Sequence, residues 1–182
     1  MFDDVFSDGS LQKIIKDKQN DIWKNSPFEG YVYLNPRQKG NFGEMFVEKL
    51  LTIGGHTVEK RSNSGHDRTI DDIKTEIKFG LCNKGVNNCF LINHISKDKD
   101  WDRLIFCGIN RTESDSIFIW FTKEDFCKLI ETNNDIFVHQ QGGKKIKNDD
   151  YMCGNIEGLL RQPFVNHISK WQRKKTLIDF IL

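Results

Sequence analysis

The chain has 182 residues, which is the length of one domain that can bury a sizeable core. Its 37% hydrophobic, 29% charged and 12% aromatic residues are typical of a folded globular protein and exclude a disordered chain. No apolar run reaches membrane-spanning length, and the acidic start Met1-Phe-Asp-Asp lacks the basic region of a signal peptide. We therefore predict a single cytoplasmic domain over residues 1–182 that does not engage a membrane.

Charge is distributed unevenly along the chain. The net charge is only +1, but residues 139–182 carry eight basic and four acidic side chains, a net charge of +4. A basic segment of this kind favours a nucleic-acid partner. An ordinary lysine-rich surface gives the same count, so charge alone does not choose between the two.

The cysteines are scattered, at Cys82, Cys89, Cys107, Cys127 and Cys153. Their odd number and the lack of a Cys-x-x-Cys pair predict reduced thiols in a cytosolic compartment. A zinc site formed by Cys82, Cys89 and His94 is the alternative, but its spacing matches no common zinc site.

The first predicted element is a helix from Ser10, as its N-cap, to about Lys24. Prolines and a glycine within residues 26–36 then predict a loop. A second helix is predicted from Phe42 to Ile53, with Asn41 as N-cap and a glycine pair as its end.

This second helix has a wide apolar face, which predicts that most of it is buried. The face consists of Phe42, Met45, Phe46, Val47, Leu50, Leu51 and Ile53. Glu44 and Glu48 share the narrow polar edge, so Glu44 lies at the margin of a core. A glutamate in the first turn also favours the helix dipole, which is an alternative role for Glu44.

A strand over residues 56–61 is followed by a predicted β-hairpin with Asp71-Asp72 as its two-residue turn. The opposed pairs are Ile70 with Ile73, Arg68 with Thr75, and Asp67 with Glu76. Opposed residues share a face and successive residues alternate, so Asp67, Glu76 and Lys78 converge while Ile77 points away. Two such carboxylates repel each other unless a divalent cation lies between them.

The chain after the hairpin alternates loops, strands and one helix. Residues 82–88 predict a loop, and residues 90–95 fit either a short strand or the start of a helix. Buried strands are predicted from Trp101 to Ile109 and from Ile117 to Phe121. Thr122-Lys-Glu-Asp125 is typical of a capping box and predicts a helix to about Glu131.

The last quarter of the chain offers candidate DNA contacts. Residues 140–147 form a basic polar segment, and a helix is predicted from about Phe164. Asn and Arg side chains pair with base edges, and Lys neutralises phosphates. The candidates, two of them near the second helix, are Arg37, Lys39, Lys144, Lys145, Arg161, Asn166 and Arg173. The terminal helix alternatively packs its isoleucines and leucine on the core, and both roles are compatible.

Asp67, Glu76 and Lys78 resemble the signature of the PD-(D/E)xK nuclease superfamily, which is an Asp followed by Glu-x-Lys on the next strand. His66 stands where that signature usually has proline, so the match is to its degenerate form.

Two further segments resemble type II restriction endonucleases of that superfamily. Gly43-Glu44 is similar to a Gly-Glu pair on their first helix whose glutamate joins the metal site. Asp102-Arg103, followed by two strands and a helix, is similar to their second half. The resemblance covers about residues 37–131.

The resemblance implies an α/β fold with a restriction-endonuclease-like core, in which helices flank a mixed central β-sheet. The catalytic core would span about residues 37–131, and residues 136–182 would supply DNA recognition and the C-terminal helix. The implied activity is Mg²⁺-dependent cleavage of double-stranded DNA at a short specific site, with Mn²⁺ as a substitute for Mg²⁺. A homodimer is expected because a two-fold protein matches a palindromic site, whereas a small monomer would nick each strand in turn.

In the implied site, Asp67 is the central, bridging metal ligand. Glu76 is a second ligand and the carbonyl of Ile77 is a third. Glu44 completes a second metal site or holds a metal-bound water. Lys78 either orients and helps to deprotonate the nucleophilic water or stabilises negative charge as a cation.

Other functions fit parts of the pattern. His66 is expected to point away from the metal, where it packs or meets DNA. A repair or junction-resolving nuclease of the same fold would read DNA structure instead of sequence. A catalytically silent DNA-binding module would have no need for Glu44, Asp67, Glu76 and Lys78 together.

Overall fold

A computed structural model describes residues 21–60, 65–82, 90–111, 116–132, 135–139 and 150–169 of the protein. The chain divides into two compact units, residues 1–39 and 40–182. None of the helices in the described ranges is both long enough and apolar enough to cross a membrane.

The described part of the first unit is a series of turns organised around Asp21. Its carboxylate accepts hydrogen bonds from the Trp23 N–H at 2.9 Å and from the Gly30 N–H at 2.7 Å. Gly30 has a φ of 84°, a conformation that glycine adopts without steric cost, and it precedes a short 3-10 helix, Tyr31–Tyr33. The helix predicted from Ser10 to about Lys24 is wrong over residues 21–24, which are not helical, and its earlier part lies outside the described residues.

Helix α1 spans Pro36–Ile53, so it begins six residues before the predicted start at Phe42. Asn35 Oδ1 accepts from the Gln38 N–H at 2.9 Å, and Gln38 Oε1 accepts from the Asn35 N–H at 3.1 Å. This reciprocal pair is a capping box, and Pro36 occupies the first helical position, where its missing N–H costs nothing. The Asn-Pro dipeptide therefore starts the helix and does not belong to the preceding loop.

The remaining described elements are nine strands and two helices. The strands are β1 (Val58–Lys60), β2 (Arg68–Ile70), β3 (Ile73–Leu81), β4 (Ile92–Ser96), β5 (Arg103–Ile109), β6 (Ile117–Thr122), β7 (Phe137–His139), β8 (Asp150–Cys153) and β9 (Asn166–Ser169). The helices are α2 (Lys123–Thr132) and α3 (Ile156–Leu160).

The strands form two sheets. The larger has the order β1-β2-β3-β5-β6-β9, in which β3 and β5 run parallel and all other neighbours are antiparallel. The smaller has the order β4-β8-β7 and is antiparallel. The fold is therefore mixed α/β with a mixed sheet, as predicted.

Both strands predicted to be buried are confirmed. All seven residues of β5 are buried, as are four of the six residues of β6. Thr122 caps α2, because its Oγ1 accepts from the Asp125 N–H at 3.1 Å. The segment 90–95, which fitted two alternatives, contains strand β4.

The prediction of a helix from about Phe164 is wrong over residues 166–169. These residues form β9, in which Asn166 pairs with Trp120 and Ser169 with Ile117. Strand β6 would otherwise be the sheet edge, and pairing with it overrides the local helical pattern. The rest of the predicted helix, residues 170–182, lies outside the described residues.

Each face of the larger sheet is covered. On one face, Phe79 of β3 contacts the rings of Phe42 and Phe46 on α1, with centroid distances of 5.7 and 5.3 Å. On the other, Leu104 and Phe106 of β5 belong to the main buried core, to which α2 and the smaller sheet contribute.

Cys82 is disulfide-bonded, whereas Cys107, Cys127 and Cys153 are free. The prediction of reduced thiols is therefore wrong for Cys82. A sulfur in a disulfide is not a thiolate, which removes Cys82 from the alternative zinc site. Burial raises the pKa of the Cys153 thiol to about 12, so this cysteine stays protonated.

Candidate active site

The hairpin of β2 and β3 has two of the three predicted opposed pairs; the third, Asp67 with Glu76, is not paired because β2 begins at Arg68. Ile70 pairs with Ile73, and Arg68 pairs with Thr75. Asp71 and Asp72 have φ values of 48° and 65°, the positive values that a type I′ turn requires at both central residues. This turn matches the twist of the strands and so fixes which residues face each other.

Asp67 lies just before β2, at the open end of the hairpin, and is only 8% exposed. Its N–H donates to the Thr75 carbonyl at 3.1 Å, and its Oδ2 accepts from the Ile77 N–H at 2.8 Å. The carboxylate therefore takes the place of the next strand-to-strand hydrogen bond along β3.

The pKa of Asp67 is raised above its ordinary value. Burial is the largest cause, and the neighbouring charges of Glu76 and Glu44 raise the pKa further. The hydrogen bond from Ile77 and the charge of Lys78 lower it, but not enough to cancel the rise. Asp67 thus sits among other carboxylates in a place that disfavours its negative charge.

Ile77 serves this site through its backbone. Its side chain is buried and alternates with Glu76 and Lys78 to the opposite face of β3. The N–H and C=O of one strand residue point to the same neighbouring strand. The Ile77 carbonyl therefore faces the same edge as the Asp67 carboxylate that its N–H contacts.

Glu76 is the most deeply buried carboxylate of the hairpin, at 1% exposed. Its Oε1 accepts from Lys78 Nζ at 2.8 Å and from Lys99 Nζ at 3.0 Å. Its Oε2 is buried and has no hydrogen-bond partner in the part of the chain that the structure describes. A buried carboxylate oxygen without a partner costs free energy, and such atoms are rare in folded proteins unless they serve a function.

Glu44 is connected to this edge through Arg68. Arg68 Nη1 lies 2.8 Å from Glu44 Oε2 and 2.7 Å from the Asp67 carbonyl, and Arg68 Nε lies 2.8 Å from Glu48 Oε2. Arg68 therefore ties α1 to the start of β2 and holds Glu44 on the α1 side of the sheet. Glu76, in register with Leu104, projects to the other side.

His66 packs locally. It is buried, and its Nε2 lies 3.2 Å from Thr69 Oγ1. Its Nδ1 is buried and has no hydrogen-bond partner within the described ranges.

The predicted DNA contacts are dispersed or lie outside the described chain. Arg37 is exposed in the first turn of α1, and Lys39 Nζ lies 5.7 Å from the Tyr31 ring centre. Arg161 is exposed after α3, and Asn166 is exposed on β9, which β5 and β6 separate from β3. Lys144, Lys145 and Arg173 lie outside the described residues.

Two partners of the site residues were not predicted. Lys99 belongs to the connection between β4 and β5, 23 residues from Glu76, and only the charge run of residues 97–100 draws attention to it. Arg68 follows Asp67 directly, but its ion pairs with Glu44 and Glu48 depend on how α1 packs against the sheet.

Within the described ranges, no three His, Cys, Asp or Glu side chains stand together as they would around a metal ion. At Glu76, two lysine ammonium groups occupy the position where a cation would be expected. The chain matches no protein-family model and no curated protein.

Proposed function

We propose that the protein is a metal-dependent endonuclease that cuts double-stranded DNA at a short specific site, built on a restriction-endonuclease-like core. One observation carries the proposal: the buried Glu76 carboxylate binds two lysines through one oxygen, while its other oxygen, near Asp67, has no partner among the described residues. A structural ion pair explains neither the second lysine nor the free oxygen.

The carboxylates and the carbonyl at this edge are oxygen ligands of the type that a hard divalent cation prefers, and such a cation would have to displace a lysine from Glu76. Asp67, Glu76 and the carbonyl of Ile77 would hold Mg²⁺, with Mn²⁺ as a substitute. Glu44, on the α1 side with Arg68, would hold a metal-bound water near Asp67 and would not contact the cation that Glu76 holds. When bound, Mg²⁺ supplies a Lewis acid and lowers the pKa of a bound water. The raised pKa of Asp67 supports this assignment, because a cation at this edge would offset the burial and the repulsion by Glu76 and Glu44 that raise this pKa.

Lys78 supplies the positive charge nearest to the reacting phosphate. Its Nζ is 2.8 Å from Glu76 Oε1 and half-buried on the face that Glu76 shares. From this position it donates a hydrogen bond to the attacking water or to a phosphate oxygen on which charge develops. Asp67 stays in place during this step because the Ile77 N–H holds it.

A homodimer that binds a palindromic site is part of the proposal, since two-fold symmetry in the protein matches two-fold symmetry in DNA. Two active sites would then cut both strands in one encounter.

The test is cleavage of supercoiled plasmid with Mg²⁺ and with EDTA. We expect discrete fragments with Mg²⁺ and intact plasmid with EDTA. Asp67→Ala and Lys78→Ala should each abolish cleavage and leave DNA binding in Ca²⁺ largely intact. Lys128→Ala is the matched control, because Lys128 forms an exposed ion pair with Glu124 on α2.

Other outcomes separate the alternatives. Relaxed circles alone would indicate a nickase, and cleavage confined to branched DNA would indicate a junction-resolving nuclease. A gel shift without any cleavage would favour a silent DNA-binding module. Cleavage at the wild-type rate by Asp67→Ala or Lys78→Ala would refute the assigned site.

A further inference from the structure

Lys99 is held close to Glu76 by a firmly fixed segment. The connection between β4 and β5 is anchored by Trp101, which is buried and donates its Nε1–H to the Ser96 carbonyl at 2.8 Å. Lys123 Nζ donates to the Lys99 carbonyl itself at 2.6 Å. Asp102 N–H donates to the Lys74 carbonyl at 2.9 Å, which joins the segment to β3.

The backbone of Lys99 is held by hydrogen bonds, whereas its side chain is partly exposed to solvent. It is 42% exposed, whereas that of Lys78 is 18% exposed, although both ammonium groups contact the same Glu76 oxygen. Two like charges on one oxygen repel each other, and one ammonium is sufficient to neutralise one carboxylate. Lys99 is therefore the group that can leave Glu76 without a change in the backbone.

Building on the nuclease function proposed above, we propose that Lys99 is a phosphate-binding residue of this site: it occupies Glu76 in the metal-free protein and turns to the DNA backbone when a divalent cation takes its place.

The charges of the site support this exchange. Lys78 and Lys99 both contact Glu76, and Arg68 contacts Glu44 and Glu48, so these groups together with Asp67 carry a net charge of −1. A divalent cation added to this set leaves an excess of one positive charge, which one phosphodiester would neutralise. A displaced Lys99 ammonium remains near the site because its backbone is fixed, and phosphate oxygens accept strong hydrogen bonds from ammonium groups.

A purely structural role makes different predictions. If Lys99 only neutralised the buried Glu76, its removal would lower stability and leave the interaction with DNA unchanged.

The experiment compares wild type, Lys99→Met, Lys99→Arg and the control Lys128→Met. Calorimetry with Mn²⁺ and no DNA measures cation affinity, and we expect Lys99→Met to bind Mn²⁺ about fivefold more tightly because a competing ammonium is gone. Fluorescence anisotropy in Ca²⁺ across a salt series measures DNA binding. We expect the salt slope of Lys99→Met to fall by about one unit, as loss of one phosphate contact requires. Lys99→Arg should keep the wild-type slope, and Lys128→Met should match wild type in both measurements.

An unchanged salt slope for Lys99→Met, with or without a lower melting temperature, would overturn the proposal. So would weaker binding of Mn²⁺, because it would mean that Lys99 supports the cation site and does not compete with it. Should Lys99→Met misfold, a reduced salt slope in Lys99→Ala would support the proposal and an unchanged slope would overturn it. Wild type that shows these affinities without cleaving DNA would refute the nuclease function and leave the role of Lys99 standing.

Discussion

At the scale of single residues, the main feature of the site is the carboxylate of Asp67, whose negative charge is disfavoured by its surroundings. Asp67 is buried next to Glu76, and burial followed by that neighbouring charge raises the pKa of its carboxyl. A carboxyl whose pKa is raised by folding destabilises the fold at every pH above that pKa. The penalty disappears as the pH falls through the folded-state pKa toward the ordinary value.

We therefore expect Asp67→Asn to melt at a higher temperature than wild type at neutral pH in EDTA. The amide oxygen can still accept from the Ile77 N–H, while the repulsion from Glu76 is removed. The difference should shrink as the buffer is acidified toward about pH 4, near the ordinary pKa of Asp. Thermal unfolding followed by circular dichroism measures this.

Asp72→Asn is the control, because Asp72 lies in the exposed turn of the same hairpin and Asn tolerates its positive φ. It should leave the melting temperature nearly unchanged across the series. A neutral-pH loss of stability in Asp67→Asn would mean that the charged hydrogen bond to Ile77 outweighs the repulsion.

Some of these residues could be predicted from sequence, and others could not. The pairing of β2 with β3 follows from a two-residue turn and strand alternation, which are local. The hydrogen bonds of Asp67 to Thr75 and Ile77, which replace its predicted pairing with Glu76, do not follow from that pattern. The contact of Lys99 with Glu76 depends on β5 lying beside β3, and no pattern within either segment encodes that. The free Glu76 oxygen is likewise visible only once the surrounding atoms are placed.

At the scale of elements, the close approach of α1 to β3 decides how the hairpin is oriented. Gly43 has no room for a side chain: an added Cβ would overlap Phe79 Cβ and lie 2.9 Å from Phe79 Cγ. The Gly43-Glu44 pair, which resembles the pair on the first helix of restriction endonucleases, therefore also has a packing function. The glycine admits Phe79, and the next residue, Glu44, reaches Arg68 at the start of β2.

Gly43→Ala should destabilise the protein by ~1–3 kcal/mol, as overpacking of a fixed contact does. Urea denaturation measures the change. Gly40→Ala on the same helix is the matched control, because its added Cβ would meet nothing within 4 Å. That variant should gain up to ~1 kcal/mol from helix propensity. Equal changes in the free energy of unfolding for the two substitutions would show that α1 does not pack closely against β3 at Gly43.

Elements were predictable where one local signal was enough. Thr122-Lys-Glu-Asp125 starts α2, and the apolar run of β5 is buried, since caps and continuous hydrophobic runs act within a few residues. The start of α1 and the strand β9 were missed for different reasons. Asn35-Pro36 resembles a turn as much as a helix start, whereas β9 is a strand only because β6 lies beside it.

At the scale of the molecule, one core joins the two sheets of the second unit. The Phe126 ring of α2 lies 5.7 Å from that of Trp101, 5.0 Å from Phe137 and 5.5 Å from Tyr151. Trp101 leads into β5 of the larger sheet, and the other two rings belong to the smaller sheet. The parallel pairing of β3 with β5, which leaves β4 to another sheet, is an arrangement that local sequence signals do not specify.

Phe126→Ala should cost ~3–5 kcal/mol, the usual range for a buried phenylalanine. Because the core is shared, far-UV circular dichroism and tryptophan fluorescence should shift to the same lower denaturant midpoint. Val138→Ala, at a half-exposed position next to Phe137, should stay within ~0.5 kcal/mol of wild type. Separate midpoints for the two probes would mean that the sheets unfold independently.

The hydrogen bond between the Ile77 N–H and the Asp67 carboxylate also provides an internal spectroscopic reporter. The amide proton of Ile77 is deshielded while it donates to a charged oxygen, so its NMR resonance should move as Asp67 takes up a proton. The same peak should move when a cation draws the carboxylate toward itself. This single backbone signal would thus report both the ionisation of Asp67 and the binding of a cation, without an engineered label.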